Sequence, residues 1–248
     1  MTSPFALPKV PPTPANEPRL RTDVALQTLD LTKDYGDGMG LIEETNLIIE
    51  KGQLVMLVGQ NGAGKSTFLG LAAGMLEPSN GWAFVNGHPA GTLPARAALS
   101  FLPDAPVLYD DLSLIEHIEY IARMHKTNDW NDYADDLIDM FGLGDRLNDL
   151  PSRFSRGLKQ KTGLILGLIR PFSLMLVDEP FVGLDTPGQE TLVDILSDVV
   201  AQGATVVCST HQMDLVPAAT RCIGMRDGSV VYDGKVSAEK IRELVGGE

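Results

Sequence analysis

The sequence predicts an α/β fold with a helical insertion, and three observations carry that prediction. Leu54-Val55-Met56-Leu57-Val58, Leu174 to Val177 and Thr205 to Cys208 are short, almost wholly apolar runs, the pattern of strands buried on both faces. Between the first and the second of these runs the apolar residues switch to helical spacing. Strand, helical block, strand is the order of an α/β core that carries a helical insertion.

Taken along the chain, residues 1–24 contain Pro4, Pro8, Pro11, Pro12, Pro14 and Pro18. A segment with that much proline cannot hydrogen-bond as a helix or a central strand. It reads as a disordered or extended tail, with a partner-binding strip as the alternative. The fold is expected to begin near Val24. The Leu54–Val58 strand runs into glycine-rich residues and then a helix that starts near Lys65. Trp82-Ala83-Phe84-Val85 before Asn86-Gly87 reads as a strand entering a turn. Ser113 and Glu116 have the spacing of a capping box, and Leu114, Ile118 and Ile121 follow at helical intervals. Trp130, Ala134, Leu137 and Phe141 mark a second amphipathic helix, ended by Gly142 and Gly144. Residues 163–171 read as a third helix, stopped at Pro171. There is no internal repeat.

Composition bounds the function. With 248 residues, 44% of them hydrophobic, the chain can bury a sizeable core. Acidic residues outnumber basic ones, 33 to 20, and the net charge of −13 argues against non-specific binding to nucleic acid or an anionic membrane. Cys208 and Cys222 lack metal-ligand spacing and read as reduced core thiols of a cytosolic protein. The most apolar stretch, Gly163 to Val177, is broken by Arg170 and Pro171, so no membrane span is expected. The N-terminus has no uninterrupted apolar core of the kind a secretion signal needs.

The chemistry is concentrated in two places. Gly59-Gln60-Asn61-Gly62-Ala63-Gly64-Lys65-Ser66 fits G-x-x-x-x-G-K-[ST], between a predicted strand and a predicted helix. Glycines let backbone N–H groups converge on phosphates without Cβ clashes, and the helix N-terminus adds a favourable dipole. Lys65 supplies a point charge to the β- and γ-phosphates, and the Ser66 hydroxyl suits Mg²⁺. The Leu174–Val177 strand then delivers Asp178 to the metal side. Glu179 follows at once and points to the other side of the strand end, which suits a group that polarises the attacking water.

Three further motifs resemble the ATP-binding cassette family in order and spacing. Phe154-Ser155-Arg156-Gly157-Leu158 stands at the signature position, Gly183-Leu184-Asp185 resembles the loop after the Glu-Pro pair, and Ser209-Thr210-His211 resembles the switch-histidine loop. Tyr35 sits where family members stack an aromatic ring on adenine. The resemblance covers roughly residues 25–236. It implies a P-loop NTPase core with an antiparallel β subdomain and an inserted α-helical subdomain at about 105–160, followed by a C-terminal helix or tail at 237–248.

The resemblance also implies roles. Tyr35 would stack on the base. Gly59, Asn61, Gly62, Ala63, Gly64, Lys65, Ser66 and Thr67 would hold the phosphates of ATP. Ser66 and Asp178 would hold Mg²⁺, Glu179 would be the general base, and His211 would bridge Glu179 and the γ-phosphate. Ser155 and Gly157 would act in trans on the nucleotide of a second cassette, with Asp185 along the dimer interface. The sequence departs from the family in two ways. Asp104 stands where glutamine is usual; it can still bind Mg²⁺ or its water but cannot donate as an amide does. The signature carries Arg156 in place of its first glycine and Leu158 in place of its glutamine. The string Ser-Arg-Gly-Leu-Lys-Gln-Lys is similar to variants in ATPase subunits of bacterial ABC-2-type exporters. The implied function is the ATP-hydrolysing subunit of a transporter. It would be cytoplasmic, held at the inner face of the membrane by integral permease subunits, and would work as a homodimer or with a second cassette ATPase. The alternative is a soluble family member that acts on ribosomes or DNA.

Overall fold

The computed structural model describes residues 20–36, 41–127, 130–211 and 218–246. Most of the proline-rich segment, residues 1–19, lies outside the described residues. The chain opens with strands β1 (Val24–Asp34), β2 (Leu41–Thr45), β3 (Ile48–Glu50) and β4 (Leu54–Val58), then helix α1 (Lys65–Ala72), β5 (Asn80–Val85), β6 (His88–Pro89), α2 (Leu93–Ala98) and β7 (Leu99–Leu102). Helices α3 (Leu114–Met124), α4 (Trp130–Met140) and α5 (Arg156–Leu168) follow, then β8 (Leu174–Val177), α6 (Thr186–Ala201), β9 (Thr205–Thr210), β10 (Arg221–Arg226), β11 (Ser229–Gly234) and α7 (Ala238–Gly246).

The strands form two sheets. In the main sheet the order is β11-β10-β4-β9-β8-β7, parallel throughout except for the β10–β11 hairpin. The second sheet is antiparallel, with β1 at its centre paired to β2, β3 and β5. The parallel strands are apolar on both faces because both are covered. Leu54, Met56 and Val58 of β4, with Met175 and Val177 of β8, join the core built with α3, α4, α5 and α6. Val55 and Leu57, with Leu174 and Leu176, join the core that holds α1 and the antiparallel sheet. Period-2 alternation thus splits each strand between two cores.

The local signals act as read. The capping box closes on α3: the Ser113 N–H donates to Glu116 Oε2 at 2.8 Å. Asn86 and Gly87 both have positive φ, the geometry of a two-residue hairpin between β5 and β6. Helix α4 stops at Met140, ahead of Gly142 with φ +66°. The third helix differs from expectation. It starts at Arg156 and ends at Leu168 rather than spanning 163–171. Its first turn is set by Ser155, whose hydroxyl accepts the Leu158 N–H at 3.2 Å, and its end precedes the residue before Pro171, where helix is disfavoured. Both cysteines are free and buried.

Candidate nucleotide site

Five adjacent parallel strands, β10, β4, β9, β8 and β7, end at one edge of the main sheet, and each delivers residues to the same place. They deliver Asp227, the glycine-rich loop, Ser209 with His211, Asp178 with Glu179, and Asp104 in turn. Open α/β sheets bind ligands outside the carboxyl ends of their strands.

The glycine-rich loop runs from β4 into α1, and its glycines are required by space as well as by backbone. A Cβ on Gly59 would lie 2.3 Å from the Met225 carbonyl oxygen. Gly64 has φ +100°, which turns the chain into the first helical residue, Lys65. The buried Lys65 ammonium donates to the carbonyls of Gly59 (2.8 Å) and Gln60 (3.2 Å) and lies 3.3 Å from Glu179 Oε1. The loop is braced from outside by the β10–β11 turn, where the Gly228 N–H donates to the Ala63 carbonyl at 3.1 Å.

Asp178 is buried, and Glu179 after it has φ +46°, a conformation that is costly for a residue with a side chain. The Glu179 carboxylate is held at both oxygens, Oε1 by Lys65 and Oε2 by His211 Nδ1 at 2.9 Å. Because a carboxylate only accepts, His211 presents its proton on Nδ1. Ser209 Oγ donates to Asp178 Oδ1 at 2.5 Å and accepts the Glu179 N–H at 2.9 Å.

These groups open on a cleft of about 520 Å³, lined by Asn61 to Thr67 of the loop, by Tyr35 and Leu41, and by Asp104, Glu179, Asp227 and Gly228. Lys33 Nζ sits 5.0 Å from the Tyr35 ring centroid. Gly59 and His211 bond to the lining residues Lys65 and Glu179 without lining the cleft themselves, and Asp178, bonded to Ser209, stands one residue before Glu179 and does not line it either. Ser155, Gly157 and Asp185 are not brought to it. Helix α5 instead packs on the Gly183–Asp185 loop: Gly157 lies so near the Gly183 carbonyl that a Cβ would be 2.4 Å from it, and Lys161 Nζ pairs with Asp185 Oδ1 at 3.0 Å. The Lys161 hydrogen bond holds the Asp185 carboxyl below its ordinary range. The two departures from the family pattern also meet, since Arg156 and Asp104 form an exposed ion pair at 3.7 Å.

Sequence reasoning missed Leu41, Asp227, Gly228 and the part played by Ser209. Asp227-Gly228 was legible as a turn dipeptide, but its placement against the loop was not. Ser209 sits in a fully buried strand, and a hydroxyl there requires partners. The donor set available to a metal, the Ser66 hydroxyl and the Asp178 carboxylate, is all oxygen. No cluster of three or more His, Cys, Asp or Glu suited to a metal occurs among the described residues. An all-oxygen donor pair suits a hard cation such as Mg²⁺, which takes few protein ligands and completes its shell from phosphates and water.

The family model described as "ABC transporter" matches residues 42–182. The SkfA peptide export ATP-binding protein SkfE of Bacillus subtilis (strain 168) is 33% identical over 211 residues, covering 84% of this chain and 88% of that protein. The ABC-type transporter ATP-binding protein EcsA of the same organism is 32% identical, covering 89% and 90%. Among solved structures, an ATP binding subunit of an ABC transporter superposes with a TM-score of 0.80 at 29% identity, covering 90% of this chain and 93% of that one. With its glycine-rich loop, acidic strand end and histidine at one sheet edge, the chain belongs to the ATP-binding subunits of the ABC transporter family.

Proposed function

We propose that this chain binds MgATP in the cleft and hydrolyses it to drive export through a separate permease, pairing with a second cassette to do so. The observation that carries the reading is the convergence of Lys65, Glu179 and His211 beside the glycine-rich loop, with the carboxylate ion-paired to the ammonium on one side and hydrogen-bonded to the imidazole on the other. A general base must lie within hydrogen-bond reach of the proton it abstracts, and the Glu179 carboxylate lines the same cleft as the glycine-rich loop.

Each residue has a role in that reading. The amides from Asn61 to Thr67 cradle the phosphates, and Lys65 exchanges its carbonyl partners for phosphate oxygens. Ser66 and Asp178 would hold Mg²⁺, which would supply positive charge to offset that of the phosphates. Glu179 takes a proton from the attacking water, whose oxygen bonds to the γ-phosphorus as the bond to ADP breaks. His211 fixes the Glu179 carboxylate and reaches towards the γ-phosphate. Tyr35 stacks on the base through the face turned from Lys33. Ser155 and Gly157, at the N-terminus of α5, contact the γ-phosphate held by the second cassette. Asp104 serves the metal only when the Arg156 ion pair yields it, and Asp185 lines the interface.

No helix among the described residues is long and apolar enough to cross a membrane. The transport path is therefore assigned to an integral permease that holds the chain at the cytoplasmic face. Lys65→Ala tests the core of the reading: MgATP hydrolysis by the purified chain is expected to vanish in the variant. Undiminished turnover would refute the site.

A further inference from the structure

We infer that Ser209 is a positioning residue of the hydrolytic site, its single buried hydroxyl fixing the Asp178 carboxylate and the Glu179 backbone together. The inference rests on the reading of Asp178 as the metal residue and Glu179 as the base.

Ser209 lies in β9 with none of its surface exposed, in register with Leu57 of β4, one residue beyond the Val177–Cys208 pair with β8. A hydroxyl has one proton to give and lone pairs to receive. Here the proton goes to Asp178 Oδ1 at 2.5 Å, a length typical of a charge-assisted bond. A lone pair takes the Glu179 N–H at 2.9 Å. Both groups need what Ser209 supplies. The Glu179 amide leaves the strand ladder at a φ of +46°, where a non-glycine residue persists only if its surroundings hold it. That turn carries the Glu179 side chain towards Lys65 and His211. The Asp178 carboxylate is rotationally pinned through Oδ1. A serine that merely satisfied itself would bond to its own element, as Ser197 Oγ does to the Val193 carbonyl four residues back. Ser209 reaches across to the neighbouring strand end.

The test uses the full chain. Ser209→Ala, Ser209→Thr, Glu179→Gln and Ser209→Ala/Glu179→Gln are compared for steady-state ATP turnover and for binding of a fluorescent ATP analogue with and without Mg²⁺. In Ser209→Ala, kcat is expected to fall about 10–100-fold, the usual cost of losing a group that orients a metal ligand or base. Binding without Mg²⁺ should be unchanged, because the glycine-rich loop is untouched, and the gain in affinity on adding Mg²⁺ should shrink. Ser209→Thr, which keeps the hydroxyl, should restore kcat. The double variant should lose less than the product of the two single losses, since the hydroxyl acts through Glu179. Wild-type kcat in Ser209→Ala overturns the inference, and so does a fully multiplicative loss in the double variant. Should the added methyl of threonine unfold the protein, the double-variant comparison still decides. Wild-type turnover in Glu179→Gln would sink the underlying reading instead, whatever Ser209→Ala does.

Discussion

Replacing Glu179 by glutamine isolates the chemical step from binding. The carboxylate is held at one oxygen by Lys65 and at the other by His211. An amide of the same shape can keep both contacts in only one orientation. Its oxygen must face the Lys65 ammonium, which has no acceptor, so its NH₂ faces His211 Nδ1. His211 must then accept there, moving its proton to Nε2. The site keeps its geometry, loses one negative charge beside the phosphates and loses its base. Removing a general base costs roughly 10²–10⁴-fold in rate, about 3–5 kcal/mol on the barrier. ATP affinity should rise, because a like charge next to the γ-phosphate is gone. If, as proposed, Lys65 of one cassette and Ser155 and Gly157 of the other grip the same ATP, unhydrolysed nucleotide should hold two copies together. Phosphate release measures the first effect, and size-exclusion chromatography with and without ATP measures the second. Turnover at the wild-type rate would refute the assignment of Glu179. An inactive protein that stays monomeric at saturating ATP would refute homodimer formation through Ser155, and mixing with a candidate second cassette would then show whether the partner is a different chain.

Two further outcomes test the frame around the site. Gly228→Ala places a Cβ 1.7 Å from the Leu41 carbonyl oxygen at a residue with φ +80°. The left-handed backbone costs about 1–2 kcal/mol and the overlap about 1–3 kcal/mol. Urea unfolding should show that loss together with weaker ATP binding, and unchanged stability would refute the bracing role of the turn. The Glu116 carboxyl is held below its ordinary value of 4.5 by the Ser113 hydroxyl and amide. A depressed pKa gives stability that is fully present above the unfolded value and lost as pH falls through the folded one. The melting-temperature advantage of wild type over Glu116→Gln, which cannot titrate, should therefore shrink on acidification below about pH 4.5, and a constant difference would argue against the capping box.

Much of this molecule is written locally. The buried strands Leu54–Val58 and Leu174–Val177 lie where their apolar runs lie, because a strand covered on both faces has no polar side to disguise it. The glycine-rich loop and the capping box of α3 are equally legible, since each is a contact between residues only a few positions apart. The start of α5 is missed by periodicity because its first turn, Arg156 to Lys159, is exposed or partly exposed; Ser155, its N-cap, is the better signal. What the sequence by itself cannot rank is contact between residues distant along the chain. Ser209 is only the first residue of the Ser-Thr-His string until β9 lies between β4 and β8 and brings it to Asp178 and Glu179. Asp227 and Gly228 are a turn until β10 pairs with β4 and sets that turn on the glycine-rich loop. Arg156 and Asp104 are two separate departures until α5 and the end of β7 bring them together as an ion pair. Residue types and short spacings fix which groups can do the chemistry. Strand order and register fix which of them touch, because pairing between remote strands is decided by the packing of the whole sheet.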